Sequence, residues 1–187
     1  MMKTWKRIAL TAGLWTMVAA GLSGAANFDY MKSVDEVAED PLTAYQTVYL
    51  GMPRADFTGN FSILKDWTYT GDGASYQEKA ERTTTDGSVT VTEGLAVLAA
   101  STEPTGKVLA FDNYFMTNDK NTAKAMYSRL VSTVYANMES FPIEQSSDKV
   151  VWIHNDITVV VSFSGKTDVK GNYVVLLRRF NNHVLSE

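Results

Sequence analysis

An apolar stripe in the last third of this chain limits its fold more than any other feature. Ala123, Met126, Tyr127, Leu130, Val131, Val134, Tyr135 and Met138 recur at steps of three and four, which places them on one side of an α-helix. Lys120, Lys124 and Arg129 fall off the stripe. Asn118 or Asp119 is placed to cap the start, and Pro142 ends the helix. A helix with so broad an apolar side must bury it against another layer. The flanking segments supply that layer. Ser88 to Thr92 alternates polar and apolar residues, and Ile157, Val159, Val161 and Phe163 line one side of a strand. Asp86-Gly87 and Asn155-Asp156 are hairpin turns. Antiparallel hairpins segregated from one long helix specify an α+β fold rather than an alternating α/β one.

The other elements follow from the same periods. Ser33 to Glu36 reads as a capping box opening a short helix that stops before Pro41. Pro53 opens a second, whose buried side is Phe57, Phe61 and Leu64. Strands are expected around Trp67 and Tyr69, over 76–85, 88–99, 107–116, 149–154 and 157–164, and at 173–177. Residues 76–85 are polar on both faces and suit a sheet edge. Gly94 suggests a bulge. Tyr173 to Leu177 is apolar on both faces and suits a central strand. The expected architecture is an antiparallel sheet of about six to seven strands packed on one long and one or two short helices.

Residues 1–25 read as a secretory signal peptide, and 26–187 as a single α+β domain. Lys3, Lys6 and Arg7 precede an apolar run from Ile8 to Leu22, and small residues follow. Cleavage after Ala25 or Ala26 satisfies the small-residue rule. The apolar run is shorter than the roughly 20 residues that span a bilayer. An uncleaved N-terminal anchor is the alternative; after cleavage no stable membrane anchor remains. There is no Cys, which excludes disulfides, thiol chemistry and a lipid-accepting Cys. Exported eukaryotic domains usually rely on disulfides, so a bacterial protein, periplasmic or secreted, is expected. The chain carries −4, and its first 25 residues hold three cations and no acid. The remainder therefore carries −7, a poor match for nucleic acid or anionic lipid.

No catalytic, metal-binding or cofactor-binding set emerges. Ser164-Gly165-Lys166-Thr167 resembles the end of a phosphate-binding loop, but Val160 stands where its first Gly belongs and no helix follows. A hairpin loop is the expectation. His154 and His183 are the two histidines, and neither has a spaced partner for zinc or base chemistry. A serine elbow and a calcium loop are missing from the sequence. Asp35, Glu36, Glu39 and Asp40 suit a solvated helix more than a cation site. Among the aromatics, Trp67, Tyr69, Tyr76, Phe111, Tyr114 and Trp152 lie on expected strands. Most belong in a core. Trp67, Tyr69 and Tyr76 are the candidate binding residues, should an open sheet face display them.

The run Tyr49-Leu50-Gly51-Met52-Pro53-Arg54-Ala55-Asp56-Phe57 resembles the helix-opening segment of exported α+β domains of the β-lactamase-inhibitor-like and outer-membrane-assembly small-lipoprotein-like kind. The resemblance covers about ten residues plus the element order. It implies protein binding through a concave sheet face and no catalysis, and it carries over no functional residue. Three functions are therefore expected, in this order. The first is a non-enzymatic exported domain binding a protein or envelope component. The second is a secreted hydrolase with a carboxylate or serine site. The third is an apolar-ligand carrier with a cavity between helix and sheet. The sequence leaves the oligomeric state open.

Overall fold

The computed structural model describes residues 27–71 and 76–182. Helix α1 spans Tyr30–Glu39, α2 Arg54–Phe61 and α3 Lys120–Asn137. The strands are β1 (Thr68–Thr70), β2 (Gln77–Asp86), β3 (Val89–Ala99), β4 (Val108–Thr117), β5 (Glu144–Gln145), β6 (Lys149–His154), β7 (Ile157–Phe163) and β8 (Tyr173–Asn181). They form one antiparallel sheet in the order β1-β2-β3-β4-β8-β7-β6-β5. The fold is α+β, as the hairpin pattern requires. The strand beyond the expected six to seven is β5, whose two residues are too few to show alternation.

The strand order resolves into two similar halves. A helix and a four-strand meander, α2 with β1 to β4, are followed by α3 with β5 to β8. Each meander runs from an outer edge inward, so β4 and β8 meet antiparallel at the centre. No repeat is visible by eye in the sequence, because only the plan is shared.

All three helices lie against one face of the sheet. Strand residues alternate in direction, and Val91, Phe115, Trp152, Val159, Val161, Val175 and Leu177 point to that face. With α1 and the Ala123, Met126, Leu130 and Val134 stripe of α3 they form the larger core. Ala80, Leu95, Val97 and Phe111 point the same way and meet Phe57 and Phe61 of α2 and Ala44, Val48 and Met52 in a second core.

A polar seam runs between these cores. Arg82 on β2 donates to Glu93 on β3 (Nε to Oε2, 2.6 Å) and to Ser33 Oγ of α1 (3.0 Å). Tyr45 donates its hydroxyl to the other Glu93 oxygen. Arg179 on β8 reaches the carbonyls of Val37 (2.8 Å), Pro41 (2.9 Å) and Thr43 (3.1 Å), and bonds Asn113 Oδ1. It thus supplies the cation that the last turn of α1 lacks. Burial pulls the Arg179 guanidinium down to about 9. A second buried pair, Arg54 with Glu78 at 2.5 Å, ties α2 to β2, and Thr58 Oγ1 donates to the same carboxylate at 2.8 Å.

Four local expectations are corrected. Asp29, not Ser33, caps α1: its Oδ1 accepts from the amides of Met31 and Lys32, while Ser33 is buried inside the helix. Helix α2 ends at Phe61, which leaves Leu64 exposed beyond it. Gly94 is not a bulge. It pairs regularly with Glu81 and Tyr114, and a Cβ there would overlap the Tyr114 ring; the register shift lies at Leu98/Ala99. Strand β2 is an edge only in part, since β1 pairs with Lys79, Ala80 and Glu81.

Candidate functional site

A groove of about 440 Å³ opens between α3 and the outer hairpin of the second half. Tyr127, Val131 and Tyr135 from α3 form one wall; Gln145, Ser146 and Val150 form the other. Helical spacing explains the first wall, because these residues lie on the flank of the stripe rather than its centre. Alternation explains the second. Glu144 pairs with Val151, so Ile143 and Gln145 point towards the helices. Phe141, two residues earlier, points the same way and meets the Tyr135 ring edge-on at 6.4 Å. Phe141 is 81% exposed, Ile143 64% and Tyr135 47%. The Tyr127 hydroxyl is buried without a hydrogen-bond partner among the described residues. Burial, and then the charge of Asp148, raises its pKa.

A second groove, about 390 Å³, lies between α1, α2 and β2. Its walls include Tyr45, Phe61, Trp67 and Arg82. Trp67 stands edge-on to both Tyr45 and Phe61 at 5.8 Å. The Arg82 guanidinium sits 4.8 Å from the Trp67 ring and 4.3 Å from that of Phe28. Glu93 lies behind Tyr45 with no exposed surface, and both its oxygens are bonded, one to Tyr45 and one to Arg82. A carboxylate so held is a structural counter-ion. Burial, with Glu93 next, pushes the Tyr45 phenol well above its ordinary value.

The sheet face opposite the helices is covered by no described element. One row across it reads Leu98, Ala110, Phe180, Thr158, Ile153. Its charges pair with one another. Arg178 holds Asp112 with two bonds of 2.6 and 2.8 Å, Lys79 meets Glu81 at 2.9 Å, and Tyr114 donates to Glu81 at 2.6 Å.

The three candidate aromatics do not share a site. Trp67 is half-buried in the second groove. Tyr69 pairs with Ala80, so it faces the helices and lies against Phe57, not on the open face. Tyr76 is exposed at the start of β2. Alternation alone places Tyr69 beside Ala80 once the register is known, and register is what the sequence withholds. Phe141 and Ile143, beside the first groove, had a weak signal: two large apolar residues flanking a Pro, in a stretch too short for a periodic pattern. Lys166 is exposed in the β7–β8 loop, with strand rather than helix after it. His154 ends β6, half-buried. Ala25, Ala26, the leader and His183 lie outside the described residues. Among the described residues no group of three His, Asp or Glu is placed to hold a metal, and no helix is long and apolar enough to cross a membrane.

No family model, curated protein or solved structure matches the chain.

Proposed function

We propose that this is an exported, non-enzymatic domain that binds another protein of the bacterial envelope or its surroundings. The observation that carries the reading is the exposed cluster of Tyr135, Phe141 and Ile143 beside the α3–β5 groove. Large apolar side chains gathered in one place mark association surfaces. The polar groups point the same way. Glu78, Glu93 and Asp112 are each held by an arginine, so these carboxylates serve to tie elements together. Support for export comes from the basic-apolar-small pattern of residues 1–26. The carrier reading loses support, because Met126, Leu130 and Val134 are buried against the sheet.

The test is retention of a partner by the immobilised mature domain, compared between envelope and cytoplasmic extracts. One envelope protein is expected, retained saturably and displaced by free domain. No saturable retention, together with turnover of chromogenic ester or glycoside substrates, would replace this reading with the hydrolase.

A further inference from the structure

The two halves fill their outer grooves differently. In the first half, Trp67 stands one residue before β1 and closes the groove wall against Tyr45 and Phe61. In the second, Ile143 stands one residue before β5. It is the topological counterpart of Trp67, yet most of its surface is open, as is that of Phe141. A Phe and an Ile left in water each forgo about 1.5–3 kcal/mol of burial. The buried Tyr127 hydroxyl in the same groove also lacks a partner among the described residues.

Charge selects the occupant. The last turn of α3 has no basic residue, so the negative end of its dipole is uncompensated, and Glu139 follows directly. Asp148 stands on the strand side, where its charge reaches Tyr127, while Glu144 points to the opposite sheet face. Lys149 is held by Glu144 at 2.9 Å, and Lys124 lies one turn before the groove begins. The rings of Tyr135 and Phe141 present faces that attract cations. A second copy of this chain would bring the same acidic rim, and an anionic lipid surface would be repelled by it.

We infer that the groove between α3 and β5 takes a segment of a partner protein that presents two large apolar side chains flanked by Lys or Arg. This rests on the binding reading above.

The experiment is photocross-linking in the native cell. p-Benzoylphenylalanine replaces Phe141 in one form of the full chain and Leu98, on the open sheet face, in another. A protein adduct is expected at position 141, and mass spectrometry of the adduct should place it in a segment with Lys or Arg beside apolar residues. Ile143→Ser should lower its yield about tenfold, as for a central apolar anchor, and Glu139→Lys about threefold, with the loss growing at low salt. Both residues are exposed, and unchanged melting temperatures would show that the variants are folded. An adduct at position 98 alone would overturn the groove and leave the binding reading standing. Adducts at neither position would overturn both. An adduct with a second copy, with lipid, or with an acidic segment would overturn the stated partner chemistry, as would a yield indifferent to both substitutions.

Discussion

Glu93 and Gly94 are neighbours on β3 that serve opposite faces of the sheet. Glu93 anchors Tyr45, whose backbone holds a left-handed conformation (φ 50°) that non-glycine residues seldom adopt. Tyr45→Phe leaves a buried carboxylate oxygen without its donor and should cost about 1–3 kcal/mol at neutral pH, read by denaturant unfolding. The same variant has a signature in alkali. The native phenol titrates well above 10, while the unfolded one titrates near 10. Above pH 10 the unfolded state loses a proton that the native state keeps, so this group's stabilisation declines as pH rises. Stability of Tyr45→Phe should therefore fall less steeply above pH 10 than that of the wild type; equal slopes would show that Tyr45 is not the group titrating. Gly94 gives room for the Tyr114 ring on the other face. Gly94→Ala should cost about 2 kcal/mol by overpacking. In a Tyr114→Ala background it should be neutral or mildly stabilising, since Ala suits a strand better than Gly. A bulge-forming glycine and one that admits a ring look alike in sequence, and only the strand register shows Gly94 to be the second kind.

At the scale of elements, α3 was the most legible part of the chain. Its stripe is long enough to fix period and direction, and Ala123, Met126, Leu130 and Val134 are all fully buried. Leu130→Asp places an unpaired charge in that core and should leave the domain unfolded at 25 °C; a wild-type melting temperature would refute the packing of α3. The end of helix α1 before Pro41 was legible, but not its start or how it is held. Its cap is Asp29, and the carbonyls of Val37 in its last turn and of Pro41 just beyond it accept from Arg179 at the far end of the chain. Arg179→Met should cost at least about 3 kcal/mol, with orphaned carbonyls at 1–3 kcal/mol each, and its loss should show first as faster hydrogen exchange in α1. No local pattern reveals such a bond, because its partners are more than a hundred residues apart. The candidate site was illegible for a related reason. Phe141 and Ile143 gain their meaning from exposure beside Tyr135, and exposure depends on which strand sits at the edge. Strand β5 has two residues, too few to declare itself.

Across the whole molecule, the polar seam separates two cores that share one sheet. Leu130 and Phe57 belong to different clusters, and the residues between them include Tyr45, Glu93, Asn113 and Arg179. Hydrogen bonds of this kind fix the position of each helix more sharply than apolar contact does, since a displaced seam leaves buried polar groups unmet. They also interrupt the continuous packing through which one cavity relaxes into the next. Leu130→Ala should cost about 2–5 kcal/mol and Phe57→Ala about 3–5 kcal/mol. If the seam isolates the cores, the double variant should lose the sum to within about 0.5 kcal/mol, as distant sites do. Each single variant must keep the wild-type denaturant slope, so that the unfolded state remains a common reference. A coupling above about 1 kcal/mol would mean that strain passes through the seam and that the two halves respond as one packed body. Additivity would instead mean that a partner seated on α3 leaves the α2 half unperturbed.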